Sequence, residues 1–221
     1  MIFKAALFDM DGVIVDTEPL HRKAYFEMFH HFGLQVSEDL YNSFTGKATA
    51  TVCRELVDLF NLKKDPETLI ARKRSYFNEF FDNDPDFDLI PGVRKLIENY
   101  YQHGITMVVA SSASRATINR VFERFGLGKY FSARLSGAEL KASKPHPEIF
   151  ERAAIEAGEP RKDCIVIEDS TNGIKAANAA GIYCVAYKSQ HSKDQDYTDA
   201  QKVITDFEEI YVRQNGDCEP I

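Results

Sequence analysis

The stretch Ala5-Ala6-Leu7-Phe8-Asp9-Met10-Asp11-Gly12-Val13 sets four apolar residues before two acids one residue apart and closes on a glycine. An apolar run of this length so near the N-terminus predicts a short buried strand, with the acids at its carboxyl end. In a parallel α/β sheet that end faces the crevice in which ligands bind. Residues two apart on a continuing strand share a face, so Asp9 and Asp11 can address one bound group. Gly12 lets the backbone turn away directly afterwards. Taken alone, the pair reads equally well as an Asp-Gly turn after a solvated strand end. The rest of the chain decides between the two.

Downstream the pattern becomes helical from Thr17 to about Asp82. Leu20, Ala24, Phe26 to Phe29 and Phe32 recur at helical spacing and stop at Gly33, a helix C-cap. A second helix is expected over Ala48 to Phe60. Asp65-Pro66 then reads as an N-cap with a first-turn proline opening a long third helix through Leu69, Ile70, Tyr76 and Phe80. The aromatics at this spacing read as core. Asn83-Asp84-Pro85-Asp86 breaks the pattern as a linker. From Pro91 onward helix and strand alternate, the signature of parallel βαβ units. Strands are expected at Ile105–Ala110, Ala133–Ser136, Cys164–Ile167 and Tyr183–Ala186, and at an edge strand over Lys202–Ile204 followed by a helix opening at Asp206. The intervening helices run from Gly92, Ser114, Pro147 and Thr171, and the polar residues after Asn215 read as a frayed end. The expected fold class is therefore α/β, a Rossmann-like three-layer core with a parallel sheet plus an inserted all-helical domain. The core takes residues 1–16 and 87–221 and the insert takes 17–86.

The chain has 221 residues, enough for a core with a smaller inserted domain. Its 44% hydrophobic and 28% charged content is that of a folded globular protein. A formal net charge of −7 argues against nucleic acid or an anionic membrane as partner, since those interactions begin with a basic surface. Cys53, Cys164, Cys184 and Cys218 show no CxxC spacing and read as reduced structural thiols, which points to the cytoplasm. No leader pattern precedes the first strand, and no apolar stretch approaches the ~20 residues that cross a bilayer. The chain is taken as a monomer.

Parallel strands bring their carboxyl ends to one side, and each of these ends carries a polar cluster. The first strand delivers Asp9 and Asp11, the second Ser111-Ser112-Ala113-Ser114 directly before a helix, and the late strand Glu168-Asp169-Ser170. Lys144 lies between them in the proline-stiffened loop Ser143-Lys144-Pro145-His146-Pro147. Four converging acids repel one another unless a cation sits among them, and hard oxygen ligands suit Mg²⁺. Hydroxyls and amides at the N-terminus of the helix near Ser114 suit a phosphate. Together these are the parts that phosphoryl transfer needs. An aspartate with an ordinary pKa of about 3.9 is ionised at neutral pH, so Asp9 can attack phosphorus without a base. A second acid must protonate the leaving oxygen and later deprotonate water, which needs a raised pKa and suits Asp11.

Four motifs in order, Asp9-x-Asp11-Gly-Val, Ser112 after an apolar strand, Lys144-Pro-x-Pro-Glu148 and Glu168-Asp169-Ser170, resemble those of the haloacid dehalogenase superfamily of phosphotransferases. The stretch Asp11-Gly-Val-Ile-Val-Asp16-Thr-Glu-Pro-Leu-His21, followed by a helical insert, further resembles its β-phosphoglucomutase-like phosphatase branch, with a helical C1 cap after the first strand. The resemblance implies Mg²⁺, Asp9 as nucleophile and metal ligand, and Asp11 as acid/base that binds metal through its carbonyl. It also implies that Glu168 and Asp169 complete the metal site, and that Ser112, the Ala113 amide and Lys144 hold the transferring phosphoryl.

Substrate choice is expected in the cap and at Ser114-Arg115. His21 matches a cap-hinge histidine of the phosphomutases, and reads equally as a surface histidine. The loop Phe44-Thr45-Gly46-Lys47-Ala48-Thr49 matches the cap's specificity loop in position, with Gly46 and Lys47 as substrate contacts. It departs in content: β-phosphoglucomutases resemble a lysine before that glycine and an arginine three residues after it, where Thr45 and Thr49 stand here. A mutase must hold a bisphosphate and needs an anion clamp in the cap, so the chain leans to a phosphatase acting on a small phosphorylated metabolite through an aspartyl-phosphate. Sugar phosphate, polyol phosphate, phosphoglycolate and pyrophosphate all fit, and β-phosphoglucomutase is the alternative. A dehalogenase needs neither Asp11 nor the metal acids. A phospho-aspartate switch needs no helical insert. His30, His31 and His103 read as surface residues. Hinges are expected near Asp16-Thr17 and Asp86.

Overall fold

Every residue of the strand β1 (Ala5–Phe8) is buried, as a four-residue apolar run between two neighbouring strands requires. The computed structural model describes residues 3–44, 49–189 and 195–213. The loop 45–48, with Gly46 and Lys47, and the last residues, with Cys218, lie outside the described residues. β1 pairs in parallel with β2 (Thr106–Ser111) on one side and with β4 (Cys164–Glu168) on the other. With β3 (Ala133–Ser136), β5 (Tyr183–Tyr187) and β6 (Lys202–Ile204) they form one sheet of six strands in the order β3-β2-β1-β4-β5-β6. Each pairing is parallel. The strand order reverses between β1 and β4, the topological switch point at which open α/β sheets bind ligands.

The register fixes what stands at that point. Phe8 lies opposite Val109 of β2 and Ile167 of β4, and the Asp9 amide donates to the Ile167 carbonyl at 2.9 Å. Asp9 therefore emerges level with Ala110 and Glu168. On one face Ala5 and Leu7 pack with Val108, Val166 and the apolar sides of α7 (Glu148–Ala157) and α8 (Thr171–Ala179). On the other, Phe8 meets the rings of Phe131 at 5.5 Å and Tyr100 at 6.2 Å. Tyr100 belongs to α5 (Val93–Gln102), and α6 (Arg115–Phe125) adds Phe122 against Phe131. The three layers follow from period-2 strands between helices that each bury one stripe.

The chain divides into two compact units, Met1–Asp16 with Asp88–Ile221, and Thr17–Phe87. In the first unit the two chain crossings lie side by side, Val15 bridging antiparallel to Leu89 and the Ile90 amide donating to the Ile14 carbonyl at 2.9 Å. The second unit is all helical: α1 (Glu18–Phe32), α2 (Glu38–Asn42), α3 (Thr49–Leu59) and α4 (Pro66–Asn83). Asp65 caps α4 by accepting from the Glu67 amide at 2.9 Å, with Pro66 in the first turn. Met28, Val52, Cys53, Leu56, Leu69 and Ile70 form its core, ringed by Tyr25, Phe29 and Tyr41. The short α2 was not expected from periodicity. Five residues carry too little pattern, and the signal is local, the Ser37 hydroxyl accepting from the Leu40 amide.

The segment after β6 also differs from expectation. Asp206 does cap a helical turn, with a full capping box, but Phe207–Ile210 is a single 3₁₀ turn. The Tyr100 hydroxyl donates to the Ile210 carbonyl and the Val212 amide donates to Asn99, so α5 draws the chain out of helical geometry. Cys53, Cys164 and Cys184 are buried free thiols. Among the described residues no helix is long and apolar enough to cross a membrane.

Candidate active site

The turn after β1 is built on one carbonyl. Met10 C=O accepts from the amides of Ile14 at 2.8 Å and Val15 at 3.0 Å, and Gly12 N–H donates to Val15 C=O at 2.7 Å. Gly12 takes φ +85°, and a Cβ there would lie 2.1 Å from an Asp169 carboxylate oxygen. Left-handed backbone and lack of space both demand glycine. The consequence is chemical: the Asp169 carboxylate lies directly against the Asp11–Gly12 main chain.

Lys144 supplies the positive charge. Its Nζ donates to Asp9 Oδ1 and, at 2.7 Å, to Glu168 Oε1, and it stands 4.9 Å above the Phe150 ring. Asp9 is 6% exposed and Glu168 1%. Burial pushes the Asp9 carboxyl well above the ordinary aspartate range, the Lys144 ammonium pulls it back, and the Glu168 and Asp169 charges add to the rise. For Lys144, burial alone would lower the pKa; the Asp9 and Glu168 carboxylates override it and hold the amine above its usual value. Two carboxyl groups and one ammonium are thus buried together, with Asp169 close enough to act on Asp9.

Glu168 is committed on both oxygens. Oε2 accepts from the amides of Asp169 and Ser170, each at 2.7 Å, and from the Ser170 hydroxyl at 3.0 Å, while Oε1 takes Lys144. The carboxylate sits at the N-terminus of α8, where Gly173 leaves it room: a Cβ there would fall 1.7 Å from Oε1. Glu168, expected as a metal ligand, thus accepts from the lysine and from the loop that carries Asp169.

The β2–α6 loop presents Ser112, whose residue is exposed, while Ser111 is buried. Ser114 caps α6, its Oγ accepting from the Thr117 amide at 3.2 Å. The Ala113 amide, expected on a phosphoryl oxygen, donates to Ser111 Oγ at 3.1 Å. Arg115, expected on substrate, forks onto Glu139, Nε to Oε1 at 3.2 Å and Nη2 to Oε2 at 2.6 Å, and its Nη1 donates to the Arg134 carbonyl. That places the guanidinium against β3, at the sheet edge and away from the β1–β4 switch point.

Among the described residues no three His, Cys, Asp or Glu side chains are grouped as a metal cage. Two carboxylates, Asp9 and Asp169, with the Asp11–Gly12 main chain against Asp169, make a smaller, all-oxygen set. Mg²⁺ keeps several waters and binds through one or two carboxylates plus substrate phosphate, so this sparse set fits it.

In the helical unit, His21 is neither a solvated nor an isolated histidine. Its ring stacks on Phe77 at 4.4 Å and 19°, and its Nδ1 lies 2.6 Å from Lys73 Nζ. Lys73 is 2% exposed, with Nζ 4.9 Å from the Tyr25 ring centroid and 5.0 Å from that of Phe77. Burial draws the lysine down to about 8, the Glu18 charge offsetting only part, and burial with the Lys73 charge draws His21 down to about 4. The sequence reading passed over Lys73. Its signal is a lysine on the apolar stripe of α4, spaced with Leu69, Ile70 and Phe77. His30, His31 and His103 are exposed.

Comparison with known proteins agrees with this geometry. A family model described as haloacid dehalogenase-like hydrolase matches residues 6–187. The Arabidopsis thaliana protein SUPPRESSOR OF QUENCHING 1 is 34% identical over 194 residues, 86% of this chain, although the match spans only 18% of that protein's length. Fructose-1-phosphate phosphatase YqaB of Escherichia coli is 31% identical over 185 residues, covering 83% of this chain and 95% of that protein. The crystal structure of a Thermotoga maritima protein assigned as a β-phosphoglucomutase superposes with a TM-score of 0.82 at 28% identity, covering 93% of this chain and 95% of the other. The ordered motifs, the parallel sheet with its switch-point acids and a family match over most of its length identify the chain as a member of the haloacid dehalogenase-like hydrolases.

Proposed function

We propose that this hydrolase is a Mg²⁺-dependent phosphatase that removes the phosphoryl group of a small phosphorylated carbohydrate, a sugar or polyol phosphate, through an aspartyl-phosphate on Asp9. The observation that carries the reading is the buried carboxylate of Asp9 at the switch point, held by Lys144 and level with Glu168 and the Ser111–Ser114 loop. The 31% identity to a fructose-1-phosphate phosphatase supports the substrate class.

In this reading an Asp9 carboxylate oxygen attacks phosphorus as the bond from phosphorus to the sugar oxygen breaks. Lys144 holds that carboxylate in place and offsets charge on the transferring group, with the Ser112 hydroxyl on a second phosphoryl oxygen. Asp11 gives its proton to the departing alkoxide. It then takes a proton from the water that attacks the aspartyl-phosphate, which frees inorganic phosphate and restores Asp9. Asp9, Asp169 and the Asp11 carbonyl would hold the Mg²⁺, which when bound supplies charge neutralisation at the phosphoryl oxygens. Glu168 acts on Lys144 and on the loop bearing Asp169.

The test is phosphate release from a panel of sugar, polyol and small-acid phosphates and pyrophosphate, with Mg²⁺ and with EDTA. Release from one substrate class, abolished by EDTA, is the expected result. The likeness to a protein assigned as a β-phosphoglucomutase keeps a second reading in view. It is tested alongside, by conversion of β-glucose 1-phosphate to glucose 6-phosphate. Isomerisation without release overturns the phosphatase reading.

A further inference from the structure

The Ala113 peptide is pinned from both sides by serines of neighbouring strands. Its N–H donates to Ser111 Oγ at 3.1 Å and its C=O accepts from Ser136 Oγ at 2.7 Å. Ser111 ends β2 and Ser136 ends β3; the two are register partners, and each is 1% exposed. The next residue presses on the same loop. A Cβ on Gly137 would lie 3.2 Å from Ser112 Cα and 3.3 Å from the Ser111 carbonyl, both main-chain atoms with little freedom to yield. The end of β3 is thus a backstop against which the β2–α6 loop is moulded. Ser112 and Ser114 are the exposed residues of that loop, and Ser114 Oγ is spent on the Thr117 amide.

We infer that Ser136 and Gly137 are positioning residues that set the Ser112–Ser114 loop for the phosphoryl group. Neither is a catalytic residue; they act through the loop. The inference rests on the phosphatase reading for the identity of the bound group, but the moulding of the loop does not. A hydroxyl buried between two strands and spent on a loop carbonyl fixes the direction of one peptide plane. The next residue's lack of a side chain fixes the loop's distance from the sheet. Small misplacements of groups that hold a reacting phosphoryl are costly, about tenfold to a hundredfold in rate for shifts on the order of 1 Å.

The experiment compares wild type with Ser136→Ala, Ser136→Thr and Gly137→Ala in the full chain. Phosphate release gives kcat and KM, inorganic phosphate as inhibitor gives a binding constant, and amide hydrogen exchange is followed at residues 112–114. Ser136→Ala is expected to lower kcat/KM and weaken inhibition by inorganic phosphate about tenfold, with faster exchange at these amides and a nearly unchanged Tm. Ser136→Thr keeps the hydroxyl and is expected to restore all three. Gly137→Ala removes no hydrogen bond and is expected to move them in the same direction as Ser136→Ala. Unchanged phosphate affinity and unchanged loop exchange in both Ser136→Ala and Gly137→Ala overturn the inference. So does an equal loss in Ser136→Ala and Ser136→Thr that tracks a fall in Tm. If wild type releases phosphate from nothing in the panel, the phosphatase reading falls, and the exchange data still decide whether Ser136 and Gly137 hold the loop.

Discussion

Among the described residues, Lys144 of the sheet unit and Lys73 of the helical unit are both buried ammonium groups, and they come to opposite sides of the ordinary lysine pKa. Lys144 in the sheet unit meets two carboxylates and is held above its ordinary pKa. Lys73 in the helical unit meets a histidine nitrogen and two aromatic faces and falls to about 8. Burial penalises both charges alike; the neighbours decide the outcome. One lysine is a fixed positive charge serving two acids. The other sits within reach of neutrality at ordinary pH, in a pocket of rings.

The largest effect is expected at the acid that Lys144 serves. Asp9→Asn keeps the size and much of the hydrogen bonding but removes the nucleophile, so turnover should fall by a factor on the order of 10⁴ or more, as when a group that bonds covalently to substrate is lost. Steady-state phosphate release measures it. Activity within tenfold of wild type removes Asp9 from the nucleophilic role.

The comparison itself is sharpened by replacing each lysine with methionine. Lys144→Met strands two buried carboxylates, and breaking a buried pair in this way typically costs about 3–5 kcal/mol. Lys73→Met puts an apolar chain of similar length among rings that already surround it, so the change should be small or stabilising. Denaturant unfolding in EDTA, monitored separately for each unit, reads both. Adding Mg²⁺ should recover part of the Lys144→Met loss if the cation binds among the stranded acids. Equal losses in the two variants would collapse the distinction drawn here.

The sequence made one half of this comparison legible and hid the other. Lys144 is legible because it stands just before Pro145 and Pro147 within an ordered set of motifs, and Asp9 and Asp11 because an apolar strand ends on them. The parallel strands followed from alternation of period-2 and helical segments. The deeper division of labour was not readable. That Glu168 spends both oxygens on Lys144 and a loop, or that Arg115 turns to Glu139, depends on side-chain directions fixed only when β3, β4 and α6 come together. Lys73 was missed because a lysine in a helix reads as solvated by default, and only its place on the stripe of Leu69, Ile70 and Phe77 marks it as buried.

The pH dependence of stability gives a finer test of the helical unit. His21 titrates near 4 in the fold against 6.5 ordinarily, and its Nδ1 faces the Lys73 ammonium. A depressed pKa means the unfolded chain takes up the proton first, so stability is full above about 6.5 and is lost as pH falls toward 4. Lys73 obeys the same sign: between about 8 and 10.5 the unfolded chain holds the proton that the fold has released, so stability rises with pH across that window. Each shift sets an upper bound of roughly 3.5 kcal/mol for its own group. Tm of wild type against Lys73→Met from pH 4 to 10 checks it. The upper rise should vanish in the variant and the lower fall should lessen, because His21 then titrates without a cation beside it.

The smallest effect is expected at Arg115. Its fork onto Glu139 joins the start of α6 to the turn after β3, but the two side chains are 41% and 50% exposed. An ion pair so open to solvent contributes about 0–1 kcal/mol, and salt screens it further. Arg115→Gln should therefore leave Tm almost unmoved and kcat/KM within about threefold, an effect too small for a direct phosphate contact, since hydrogen bonds to charged groups are worth about 1.5–3 kcal/mol. A loss of thirtyfold or more, confined to KM and relieved by nothing at Glu139, would mean that the guanidinium leaves Glu139 for substrate. The sheet unit would then have a second mobile cation beside the fixed charge of Lys144.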